Sequence, residues 1–255
     1  MNPTGRSEEP DGAGMYLDLP DARVVVTDAL LEMQDNIADT IEARAMSCIY
    51  GDAGLGKTFG VEQALKQLEP DLLLSLKFTR SRPGPKDLRW ALFDEMGLPS
   101  KKPGTPTEFD ELLRKSLPRR RYVILCDEAQ QYRRECFEFV RNLWDACKRD
   151  RPAVLFVGGK EAYDTLCSDP ALASRIYIRQ EVLPMHESEV LTVIPKFHPA
   201  WEGVDERLIL KADTNKCGGA FRMWAKVTFL CLRGMTVLRK DCIDEEVLDW
   251  ALRRC

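Results

Sequence analysis

MSCIYGDAGLGKT, residues Met46 to Thr58, sets the frame for the rest of the chain. Met46 to Tyr50 is apolar and strand-like. Gly51 to Thr58, GDAGLGKT, has the spacing of a phosphate-binding loop. Phe59 to Leu68 reads as a helix, with Val61, Ala64, Leu65 and Leu68 at helical spacing. Strand, glycine loop and helix in that order give the pattern a mechanism. Gly51, Gly54 and Gly56 let the backbone curl so that several N–H groups converge, and with the helix N-terminus they form a hole for an anion. In such a loop Lys57 reaches the outer phosphates of a nucleoside triphosphate and the Thr58 hydroxyl holds Mg²⁺. Asp52, Ala53 and Leu55 within the loop, and Phe59 beside it, complete the expected nucleotide-binding set.

RYVILCDE, Arg121 to Glu128, is the second anchor. Its apolar run predicts a central, buried strand, and the acids fall at its carboxyl end. Open α/β sheets bind ligands at that end of their strands. Asp127 is therefore expected to position Mg²⁺ together with Thr58, and Glu128 to act as the base that polarises an attacking water. A further strand, Leu72 to Phe78, lies between the loop and these acids, a layout unlike that of small GTPases and nucleotide kinases. No guanine-specifying NKxD is found; Thr214-Asn215-Lys216-Cys217 lacks the acid. The nucleotide is read as ATP.

Composition narrows the class. With 255 residues, 44% hydrophobic and 31% charged, the chain is long enough for one large domain, or one plus a small one. No apolar run approaches the length of a membrane span. The polar start, MNPTGRSEEPDGAG, lacks a signal-peptide core, and residues 1–20 are expected to be a flexible leader. The nine cysteines form no CxxC pair, and His186 and His198 sit in no metal-ligand cluster. Cys126, Cys136, Cys147 and Cys231 fall in apolar or helical stretches, as reduced core residues of a cytoplasmic protein would. The net charge of −4 gives no global attraction for nucleic acid, so any DNA contact must be local.

Helices are expected over Ala29 to Ala43, Asp87 to Met96, Glu108 to Leu117, Cys136 to Lys148 and Asp164 to Ala173, the last broken at Asp169-Pro170. Ala153 to Val157 and Ile176 to Leu183 are the fourth and fifth strands. After Pro184 the pattern turns helical, over Glu187 to Ile194, Asp205 to Lys216, Ala220 to Leu232 and Asp244 to Arg253. The expected architecture is an α/β P-loop domain over residues 21–183, with a five-stranded parallel sheet, and a small helical lid over 184–255.

Taken together, GDAGLGKT, VILCDEAQ, a strand ending in LFVGG, Ser174-Arg175 before the last strand, and GGAFR in the helical part resemble the AAA+ ATPases. The DEAQ form and the compact length resemble the transposition ATPases of the MuB, TnsC, TniB and IstB-like group. The resemblance spans about Asp21 to Arg254. It implies ATP hydrolysis between the subunits of a homo-oligomeric ring or helical filament. Arg175 would be the arginine finger reaching a neighbour's γ-phosphate, and Arg222 the lid residue that senses the nucleotide. The polar sensor usually found after the fourth strand would fall near Gly159, so Lys160 or a backbone group must substitute, or hydrolysis is weak. The implied function is ATP-dependent assembly on duplex DNA and recruitment of a transposase, with a target-site protein as a further partner.

Two Pro/Gly loops carry the cations that could track DNA phosphates without sequence preference: Arg80, Arg82 and Lys86, then Lys101 and Lys102. Trp90, Trp144, Trp201, Trp224 and Trp250 are spread along helices, where core packing is the usual role. Two alternatives stay open at this level: a nucleotide switch acting on protein partners, in signalling or secretion, and a module that holds ATP with little turnover.

Overall fold

The structure, a computed structural model, describes residues 17, 19–76, 78, 82–98 and 102–255. Most of the expected leader, and Arg80 and Lys101 of the expected DNA loops, lie outside the described residues.

Five parallel strands form one sheet in the order β2-β3-β4-β1-β5. They are β1 (Met46–Gly51), β2 (Leu73–Leu76), β3 (Val123–Cys126), β4 (Ala153–Gly158) and β5 (Ile176–Val182). The sequence explains the order. β1, β3 and β4 are buried at every position, as inner strands of a parallel sheet covered on both faces must be. β2 and β5 alternate in burial and form the two edges. The expected five-stranded parallel α/β fold is therefore present. Two strands are shorter than their apolar runs suggest. Leu72 belongs to a 3₁₀ turn, Pro70–Leu72, that opens on a proline, and β3 stops at Cys126, before its acids.

Seven helices surround the sheet in sequence: α1 (Asp28–Glu42), α2 (Lys57–Leu65), α3 (Pro85–Glu95), α4 (Pro106–Ser116), α5 (Arg134–Ala146), α6 (Lys160–Cys167) and α7 (Pro170–Ala173). The break between α6 and α7 falls at Asp169, whose carboxylate caps the second helix by accepting from the N–H groups of Ala171 and Leu172. α4 begins two residues before the apolar spacing does, because Thr105 and Glu108 form a reciprocal capping box with Pro106 at the first helical position. The core of this part is continuous: Phe137 of α5 packs on Phe156 of β4, with ring centroids 5.3 Å apart.

By its contacts the chain divides into two compact units. One comprises Ala29–Ala53 and Lys57–Leu183; the other comprises the described residues up to Asp28, Gly54–Gly56 and Pro184–Cys255. The second unit is helical: α8 (Glu187–Phe197), α9 (Glu206–Ala212), α10 (Phe221–Leu238) and α11 (Glu245–Leu252). Its core holds Trp201 and Trp224, both fully buried and edge to face at 5.3 Å. α10 runs six residues past its expected end at Leu232, because Cys231 and Gly234 continue its buried face. α9 ends four residues before the expected Lys216 and passes into a π-turn, Asp213–Cys217, closed by Gly218 and Gly219 at positive φ.

Candidate nucleotide-binding site

The glycine loop joins the end of β1 to the first residue of α2. Gly51 has φ of 152° and lies so close to β5 that a Cβ there would run into the Val182 carbonyl oxygen. Gly56 has φ of 88°, which an L side chain rarely adopts, and the chain enters α2 at the next residue. The helix thus begins at Lys57, not Phe59, so its N-terminal end, the end that favours an anion, lies in the loop itself. The Lys57 ammonium donates to the carbonyls of Gly51 at 2.9 Å and Asp52 at 2.6 Å, so it is held over the loop.

The acids reach this loop from two strands away. β4 separates β1 from β3, and Cys48, Phe156 and Cys126 stand level across the three strands. Beyond Cys126 the chain leaves the sheet, and half-buried Asp127 meets Thr58 across the end of β4. The Thr58 Oγ1 donates to Asp127 Oδ1 over 3.5 Å, the long limit of a hydrogen bond. Mg²⁺ bound at about 2.1 Å by octahedral ligands places neighbouring ligand oxygens about 3 Å apart. A hydroxyl and a carboxylate at this separation fit two such positions. Among the described residues no group of three or more His, Cys, Asp or Glu could hold a metal alone. The donor set therefore suits an ion that keeps water or brings phosphate oxygens as its other ligands.

Glu128 is exposed and adopts φ of 50°, a left-handed conformation costing a non-glycine residue about 1–2 kcal/mol. Two bonds hold it there: its N–H donates to Asp127 Oδ1 at 2.8 Å, and its carbonyl accepts from the Gln131 N–H at 2.8 Å. Its carboxylate accepts from the side-chain amide of Gln130. The Gln130 carbonyl oxygen in turn accepts from the backbone N–H of Gly159, just past β4, at 2.9 Å. In the sequence Gln130 stands only as the last letter of DEAQ. Near Gly159, where a polar sensor was expected, β4 ends at Gly158, Gly159 caps α6, and Lys160 is exposed as the first residue of that helix.

The other expected residues fall as follows. Arg175 is one-third exposed and folded back on its own unit, donating to both Asp145 carboxylate oxygens at 3.3 and 3.2 Å, to the Ala171 carbonyl and to Ser174 Oγ. Arg222 is in the first turn of α10, and its backbone N–H donates to the Gly54 carbonyl at 3.1 Å. Of the cations proposed for DNA, Arg82 is exposed with φ of 59°. Lys86 and Lys102 both lie over the Trp90 ring, at 5.6 and 4.4 Å from its centroid, and Lys102 also pairs with Asp94 at 2.8 Å. Trp90, expected in the core, is 44% exposed. Cys126, Cys136, Cys147 and Cys231 are buried free thiols. Burial pushes Cys231 up to about 12 and Cys136 up to about 11, which keeps both as neutral thiols at neutral pH.

Residues 40–166 match the model of the family described as AAA domain. A sequence search of curated proteins finds no match. Among solved structures the chain is similar to the ORC2 protein of Aeropyrum pernix in its ADP form, with 16% identity and a TM-score of 0.65, covering 93% of this chain and 70% of that one. It is similar to Cdc6p of Pyrobaculum aerophilum, with 14% identity and a TM-score of 0.70 over 88% and 66% of the two chains. It is also similar to the ORC1 protein of Aeropyrum pernix in complex with DNA, with 17% identity and a TM-score of 0.63 over 92% and 66%. The chain thus spans about two thirds of the length of these proteins, and the likeness is one of fold. Residues 40–166 thus match an AAA domain, and the five-stranded parallel fold is the one shared with these solved structures.

Proposed function

We propose that this chain, built on an AAA domain, hydrolyses ATP with Mg²⁺ and uses the cycle to assemble on duplex DNA and leave it. The observation that carries the reading is the meeting of Thr58 and Asp127, 69 positions apart in sequence, with Glu128 immediately beside them. Lys57 exchanges the Gly51 and Asp52 carbonyls for phosphate oxygens. Thr58 and Asp127 hold Mg²⁺, which when bound offsets phosphate charge. Glu128 accepts a proton from the attacking water, a role worth about 10²–10⁴ in rate.

Assembly is proposed to be homo-oligomeric, as a ring or helical filament. Arg175 would then leave Asp145 for a neighbour's γ-phosphate, and Arg222 in the helical lid would report the nucleotide. Duplex DNA is taken as the partner because a protein of similar fold, the ORC1 protein of Aeropyrum pernix, is found in complex with DNA. The cations Arg80, Arg82, Lys86, Lys101 and Lys102 would contact its phosphates. Recruitment of a transposase, and of a target-site protein, rests on the DEAQ resemblance. A cytoplasmic setting suits the buried free thiols.

The test is electron microscopy and sedimentation of the wild type and Glu128→Gln with ATP, Mg²⁺ and duplex DNA of arbitrary sequence. The expected result is ATP-dependent assembly on DNA, weakened by salt and by Lys86→Ala/Lys102→Ala, with the Glu128→Gln assemblies persisting. Assembly indifferent to DNA would favour a switch acting on proteins. Absence of both assembly and ATP turnover would contradict the proposal.

A further inference from the structure

Three groups meet at the tips of β3 and β4: the Glu128 carboxylate, the Gln130 carboxamide and the Gly159 N–H. The chemistry allows one arrangement. The Gly159 N–H can only donate, so the carboxamide must turn its oxygen toward it. The amide NH₂ then faces Glu128, whose ionised carboxylate can only accept. The assignment of oxygen and nitrogen, which an isolated glutamine leaves open, is therefore fixed from both ends.

The backbone is shaped for this contact. A Cβ on Gly158 would collide with the Gln130 carbonyl oxygen and approach the N–H groups of Ala129 and Gln130 to 3.1 Å. Gly158 thus leaves the space that the glutamine carboxamide fills. Gln130 sits in a 3₁₀ turn, Ala129–Gln131, that opens directly from the left-handed Glu128. Its side chain ties that strained residue to a second strand.

We infer that Gln130 is a positioning residue for hydrolysis, orienting the Glu128 carboxylate through its amide while Gly159, at the head of α6, orients Gln130. This rests on the ATPase reading above. Glu128 is otherwise an exposed side chain with several rotamers, and a base contributes only when held at its water. The Gln130 amide engages one carboxylate oxygen, and the other is the one that would take the proton from the water.

Steady-state ATPase measurements with ATP, Mg²⁺ and duplex DNA test this, alongside binding of a fluorescent ATP analogue. Gln130→Ala should lower kcat about 10-fold or more, with nucleotide affinity within about twofold of wild type. Gln130→Glu keeps the size but offers Glu128 an acceptor where the amide donated, so its kcat should fall as far as that of Gln130→Ala, again with nucleotide affinity and the denaturation midpoint near wild type. A contact that serves only stability would instead lower the denaturation midpoint and leave kcat unchanged. Wild-type hydrolysis with unchanged kcat in Gln130→Ala would overturn the inference alone. A kcat raised in Gln130→Ala would likewise overturn it, by making the contact a brake. Absence of wild-type hydrolysis, with analogue binding intact, would overturn the ATPase reading and this inference with it.

Discussion

Two polar networks in this molecule are built from similar parts and serve opposite ends. In the helical unit, Asp213 accepts from the Gly219 N–H at 2.7 Å and from the Trp224 indole at 3.2 Å. Trp201 donates to Thr228 Oγ1 at 2.8 Å, and Thr228 donates to the Trp224 carbonyl at 2.8 Å. Every member is buried, and all four bonds lie within the unit. At the tips of β3 and β4, by contrast, Asp127 and Gln130 are half-buried, and Thr58 and Glu128 are exposed. The first network closes on itself and removes polar groups from water. The second sets the Thr58 hydroxyl against the Asp127 carboxylate and the Glu128 carboxylate against Gln130, at positions that solvent reaches. Burial therefore separates the polar groups that hold the fold from those available for chemistry.

Substitutions should split along the same line. Trp224→Ala empties a fully buried aromatic site and is expected to cost about 3–5 kcal/mol in denaturant unfolding. Asp213→Ala leaves two donors without their acceptor and should cost about 2–3 kcal/mol in the same measurement. Thr58→Ala and Glu128→Gln, at exposed positions, should stay within about 0.5 kcal/mol of wild type. A large stability loss in the last pair would erase the contrast between the networks.

Much of the sheet was legible because its inner strands are unbroken apolar runs and the glycine loop and acids carry their own spacing. Edge positions were less so: β2 and β3 lose residues to a proline turn and to the left-handed Glu128, neither of which hydropathy registers. The start of α4 was readable from Thr105 and Glu108, a capping pair that the apolar spacing obscured. Trp90 was assigned to the core on residue type alone, yet its surroundings are two lysines, and Lys86 at i−4 was the available signal. Gln130 could not be placed by any local rule, because its partner Gly159 lies 29 residues away. Gly158 at the end of β4 was the trace it left in the sequence.

The central claim is that Gly51–Thr58 and Asp127 form one triphosphate and metal pocket. Titration calorimetry with a non-hydrolysable ATP analogue, with and without Mg²⁺, tests it most directly. The account requires one analogue per chain, tighter with Mg²⁺, an affinity about 100-fold lower in Lys57→Ala, and loss of the Mg²⁺ dependence in Asp127→Ala. Binding that ignores Mg²⁺ and both substitutions, or no binding by the wild type, would contradict it.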